Sequence, residues 1–102
     1  MDKIVAFREI LSLDPSNAFA RYGLAMEHVS RGDTVQGLAE FTDLIDRNPD
    51  YVPAYQMSAQ TLLRLGHTAE ALARIDAGIA AAGRTGNQHA LAELQGMRGE
   101  LG

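Results

Sequence analysis

Apolar residues recur along this chain every three or four positions, in blocks of 12 to 16 residues divided by Gly, Pro and Asn-Pro punctuation. The first block, residues 2–13, sets Ile4, Phe7, Ile10 and Leu11 on one side of a helix. Asp14-Pro15 closes it, because a residue before proline avoids the α region. Ser16 or Asn17 can cap a second helix that runs to about Arg31. Gly32 turns the chain, and Asp33 or Thr34 can cap a third helix over about 34–47, which Asn48-Pro49-Asp50 ends. A fourth helix is predicted over about 52–65, with Pro53 tolerated in its first turn. Gly66 turns the chain again before a fifth helix over about 68–82, which Gly83-Arg84-Thr85-Gly86 is expected to break. The last block, about 87–101, carries Leu91, Leu94 and Leu101; Gly96 and Gly99 weaken it, so its end is expected to fray. No block shows the two-residue alternation of a half-buried strand. Connections this short make neighbouring helices antiparallel.

A second rhythm overlies the first. Gly32 recurs as Gly66, Pro15 as Pro49, Ala25 as Ala59, Thr34 as Thr68 and Leu38-Ala39 as Leu72-Ala73, always 34 residues on. A period of this size belongs to stacked helical hairpins, each too small to bury its own apolar face alone. In this register the chain resembles the tetratricopeptide repeat. One repeat is Ala18–Tyr51 and the next Val52–Thr85; residues 2–17 resemble the second half of a preceding repeat, with Phe7 equivalent to Phe41, and residues 86–102 sit where a closing helix would lie. The resemblance implies one all-α domain over 1–102, an α-α superhelix of antiparallel hairpins with about six helices. Ala25, Ala59, Gly37 and Ala71 then allow close helix approach, and Phe41, Ile75 and Phe7 fill the space between hairpins. The chain departs from the family pattern where a bulky early residue is Arg21 in one repeat and Tyr55 in the other, where His28 and Leu62 replace the usual late aromatic, and where Leu44 is matched by Gly78. The repeats are therefore not interchangeable.

Composition narrows the function. Of 102 residues, 46% are hydrophobic and 22% charged, which suits a soluble globular chain. A net charge of −4 argues against nucleic acid as a partner. Without cysteine there is neither a disulfide framework nor a thiol nucleophile. Arg8 and Glu9 interrupt the start too early for a signal peptide, and no apolar run approaches the roughly 20 residues of a membrane span, so a cytoplasmic chain with no membrane partner is expected. The Met1-Asp2 start is what a complete small protein would show.

Family members generally bind extended or helical peptides along a concave surface lined by the first helix of each repeat. Carried onto this chain, the resemblance implies a groove of Phe19, Tyr22, Met26 and Val29, then Gln56, Met57, Gln60, Leu63 and Arg64, then Ala90, Leu94, Met97 and Arg98. Each set has helical spacing and so forms a stripe. Aromatic rings and Met make an adaptable apolar floor. Gln56 and Gln60 can pair with a peptide backbone, and Arg64 and Arg98 can fork onto carboxylates. The Lys and Asn clamp by which some members hold chaperone tails is absent, since Tyr22, Met26, Gln56 and Gln60 stand in its places. The same residues would equally serve internal packing, or self-association into a weak homodimer; the open apolar face of the first helix points the same way.

Catalysis is not expected. His28, His67 and His89 form no metal-binding pair, and the former reads as a packing residue. Ser12, Ser16, Ser30 and Ser58 lack a nucleophile context, and no phosphate-binding glycine loop occurs. Glu40, Asp43 and Asp46 read as a solvated acidic back surface. The expectation is a monomeric or weakly dimeric protein-interaction module with no catalytic residue, metal or cofactor, whose partner is another protein or peptide.

Overall fold

The structure, a computed structural model, describes residues 2–102, and these form six helices with no strand among the described residues. They are α1 (Lys3–Leu13), α2 (Ala18–Ser30), α3 (Thr34–Arg47), α4 (Val52–Arg64), α5 (Thr68–Thr85) and α6 (Gln88–Glu100). The chain divides into two compact halves, Met1–Asn48 and Pro49–Gly102. In the first, α2 packs against both α1 and α3; in the second, α5 packs against both α4 and α6. The fold is an all-α helical repeat.

Local chemistry accounts for the helix ends. The side chains of Asp2, Asn17, Asp33 and Asn87 accept hydrogen bonds from the amides of Ile4, Ala20, Gln36 and Ala90, at 2.8, 2.9, 3.2 and 3.1 Å. Each satisfies one of the amides that a first helical turn leaves without a partner. Asn17 rather than Ser16, and Asp33 rather than Thr34, supply the caps. Two ends repeat at the 34-residue spacing. The Asp33 amide donates to the His28 carbonyl and the His67 amide to the Leu62 carbonyl, both at 2.9 Å. Gly32 (φ +86°) and Gly66 (φ +79°) provide the left-handed turns that these bonds need.

The fifth helix differs from expectation. It continues through Gly83 to Thr85 and stops at Gly86, whose φ is +69°. An exposed glycine inside a helix costs about 1 kcal/mol relative to alanine but does not end it; a residue in the left-handed region does.

Small residues set the helix separations within each half. A Cβ placed on Gly23 would lie 2.4 Å from the Phe7 ring, and one on Gly37 would lie 2.5 Å from Val29 and 3.1 Å from the Ala25 carbonyl. A Cβ on Gly78 would lie 2.7 Å from the Tyr55 Cβ. Against these close approaches Phe41 and Ile75 are wholly buried. Leu11, Ala20 and Leu24 form a cluster with Ile4 and Phe7 that holds α1 to α2.

Candidate peptide-binding surface

Helix α4 is the most informative element. Val52, Ala54, Tyr55, Ser58, Ala59, Thr61 and Leu62 are buried. The remaining six residues, Pro53, Gln56, Met57, Gln60, Leu63 and Arg64, are all at least partly open to solvent. Their spacing of three and four residues puts them on one side of the helix. Five are the residues named from the sequence for this helix. Pro53 is an addition, and its place three and four positions before Gln56 and Met57 was the signal for it. No residue of α4 is acidic. Ser58 and Thr61 can be buried because their hydroxyls donate to the carbonyls of Ala54 and Met57, at 2.6 and 2.9 Å. Arg64 meets the Thr61 hydroxyl at 3.5 Å and has no carboxylate partner among the described residues.

In the other half, Phe19, Tyr22 and Met26 share one side of α2. Phe19 is 73% exposed, whereas Tyr22 and Met26 are half-buried. Tyr22 leans edge-on against Phe41, the ring centroids 6.0 Å apart, so part of this stripe is also core.

The α6 set is different. Leu94 is wholly buried, and a Cβ on Gly78 would come within 3.2 Å of it. Leu94 therefore fastens α6 to α5 and lines no open groove; Ala90 is buried as well. Arg98 is engaged already, its Nε 3.1 Å from the Asp76 carboxylate. Arg64 and Arg98 thus occupy matching positions in different electrostatic states: Arg98 already has a carboxylate beside it, and Arg64 has none among the described residues.

The acidic ridge on α3 also needs correction. Glu40 and Asp43 are drawn onto Arg21, whose Nη1 lies 3.1 Å from Glu40 and 2.8 Å from Asp43. The Arg21 and Glu40 side chains are 11% and 14% exposed, so Glu40 belongs to a nearly closed strut between α2 and α3, whereas Asp43, with 42% of its side chain exposed, and exposed Asp46 keep the solvent expected of them. Asp43 also pairs with Arg47 at 3.0 Å. His28 is buried as expected; its Nδ1 lies 4.0 Å from Asp33, too far for a hydrogen bond. His67 is exposed, and exposed His89 pairs with Glu93 at 2.8 Å. Among the described residues, no three His, Cys, Asp or Glu side chains stand where they could hold a metal ion, and no helix is long and apolar enough to cross a membrane.

One titration stands out. Arg31 hydrogen-bonds the Asp2 carboxylate through both terminal nitrogens, at 3.0 and 2.9 Å, and the Ile4 amide donates to the same group. These donors hold the Asp2 carboxyl at about 2, against an ordinary 3.8, and the Arg31 guanidinium is raised in turn.

Comparison with known proteins agrees with this geometry. The sequence profile of the tetratricopeptide repeat matches residues 28–94. The solution structure of a tetratricopeptide repeat domain protein from Salinibacter ruber is similar, with 35% identity over 86% of this chain and 89% of that one, at a TM-score of 0.81. A crystal structure of a tetratricopeptide repeat domain protein from the same organism gives 34% identity over 83% of this chain and 94% of that one, with a TM-score of 0.76. A Bordetella parapertussis protein shares the fold at 24% identity, over 99% of this chain and 88% of that one, with a TM-score of 0.81. No curated protein matches the chain.

Proposed function

Because the chain belongs to the tetratricopeptide-repeat family, we propose that it is a non-enzymatic interaction module that holds a peptide segment of a partner protein on the exposed stripes of its first helices. The observation that carries this reading is α4. Its whole solvent-facing side is Pro53, Gln56, Met57, Gln60, Leu63 and Arg64, a face that mixes apolar area with amide donors and acceptors and lacks any acid. Met57 and Leu63 offer adaptable apolar contact, Gln56 and Gln60 can pair with a peptide backbone, and Arg64 can pair with a carboxylate. On α2, Phe19, Tyr22 and Met26 supply the corresponding apolar stripe.

Binding here is docking onto a prebuilt surface. Rigid helices lose little entropy, and the peptide bears most of the ordering cost. A contact of this extent gives affinities of about micromolar order. Salt weakens binding only modestly, through Arg64, since Arg98 is already paired with Asp76.

The test is a selection of displayed random peptides on this chain, followed by titration of the enriched peptides. Met57→Ala with Leu63→Ala is expected to weaken binding by about tenfold or more while helical circular dichroism is retained. Unchanged affinity in the folded variant would remove α4 from the binding surface.

A further inference from the structure

The 34-residue register sets Ile10 of α1 where Leu44 stands in α3. Leu44 is fully buried, yet Ile10 is 43% exposed and Leu13 is 89% exposed. Helix α1 is held to α2 by Ile4, Phe7 and Leu11, which lie on one side of it. Lys3, Ala6, Ile10, Leu13 and Asp14 fall on a neighbouring stripe by their spacing. The apolar residues lie toward the middle of the stripe, with a cation at one end and an anion at the other.

Those two charges sit badly for the helix alone. Lys3 is the first residue of α1, at the positive end of the helix dipole, and Asp14 is its C-cap, at the negative end. Neither has an ion-pair partner among the described residues; the Asp14 carboxylate accepts only the Ser16 hydroxyl, at 3.1 Å. A contact across a two-fold axis requires a surface complementary to itself. An apolar centre flanked by opposite charges meets that requirement when two such helices run antiparallel.

We propose that this face of α1 pairs with the same face of a second copy, with the two-fold axis between Ala6 and Ile10. Ile10 then packs on Ala6 of the other copy, and Lys3 lies beside Asp14 of the other copy at both ends. Each charge gains an opposite partner, and each helix terminus meets a terminus of opposite polarity. An 11-residue helix is about 16 Å long. The interface is therefore well under about 1,000 Å², and the dimer is weak. This contact uses none of the residues assigned to peptide binding, so the two proposals stand or fall separately.

Sedimentation equilibrium on the whole chain tests it. The weight-average mass is expected to rise from 11.0 kDa toward twice that value as concentration increases from about 10 µM to about 1 mM. Ile10→Asp abolishes the rise while leaving helical circular dichroism intact, because the side chain already faces water. Lys3→Glu and Asp14→Lys each weaken self-association by about tenfold, since like charges then meet at both ends. Both changes suit the dipole of α1, so the loss is not one of folding. Mixing the two variants restores association, because every end of the mixed dimer again carries opposite charges. A constant 11.0 kDa mass across the range overturns the proposal, whether or not a helix of another protein is found on this face. Association that survives Ile10→Asp, or a mixture that fails to recover, overturns it equally.

Discussion

Positions 21 and 55 lie one repeat apart and reach the same target with different chemistry. Arg21 donates from Nη2 to the Pro15 carbonyl at 3.1 Å, and the Tyr55 hydroxyl donates to the Pro49 carbonyl at 2.6 Å. Each ties the loop before its hairpin to the hairpin's first helix. Arg21 additionally brings charge into a nearly closed space, and Glu40 and Asp43 answer it. Arg21→Met should cost about 1.5–3 kcal/mol in urea unfolding, mainly through the stranded Glu40, because Asp43 keeps its solvent and Arg47. Adding Glu40→Gln should recover part of that loss; an unchanged unfolding midpoint for the single variant would show that the strut carries no stability. At Asp2 the pH dependence has a definite sign. Its carboxyl titrates at about 2 when folded and at 3.8 when free, so its contribution is complete above about pH 4 and is lost as pH falls through about 2. In Arg31→Ala, an NMR titration of Asp2 should move up toward 3.8, and a midpoint left at about 2 would contradict the assigned cause. Much at this scale is legible in the sequence: the caps narrow to Ser16 or Asn17 and to Asp33 or Thr34 because a cap depends on its neighbours in sequence, and the structure selects Asn17 and Asp33. The Arg21 strut could not be foreseen, because it depends on which face of α3 turns toward α2.

Helix α5 contains two glycines of opposite consequence. A Cβ at Gly78 would meet the Tyr55 Cβ at 2.7 Å, an atom fixed to its backbone, so α4 and α5 would have to move apart. Gly78→Ala should therefore destabilise by about 1–3 kcal/mol. At Gly83 a Cβ would meet nothing within 4 Å, and the residue is an ordinary exposed helical position. Gly83→Ala should stabilise by about 0.5–1 kcal/mol. Thermal or urea unfolding of the two variants checks both signs, and equal effects would contradict the helix-contact assignment. The boundary of α5 also differs from the sequence expectation: Gly83 looks like a stop in the chain, but only Gly86 takes the left-handed conformation that ends α5. Leu94 was misread for a related reason. Its spacing matches Gln60 and Met26, yet the side chain missing at Gly78 leaves room that Leu94 fills. A periodic pattern identifies a stripe on a helix but not the neighbour that the stripe meets.

At the scale of the whole chain, the 34-residue register carries both the architecture and the family, and it does so through small residues and turns rather than through any chemical site. On the proposed reading, function rests on what the helices leave uncovered. In α4 that is one acid-free stripe; in α2 it is Phe19 with the flanks of Tyr22 and Met26. The stripe on α4 was readable because the family resemblance carries its lining onto Gln56, Met57, Gln60, Leu63 and Arg64, and these five stay at least partly open to solvent. The partner was not, because amide and apolar groups accept many peptides. The most direct measurement is amide chemical-shift mapping of the chain with a peptide enriched in the display selection. The largest shifts are expected on Gln56, Met57, Gln60, Leu63 and Arg64, with Phe19, Tyr22 and Met26 also affected. Shifts confined to the opposite faces, around Asp46 of α3 or Asp76 and Ala80 of α5, would contradict the proposal.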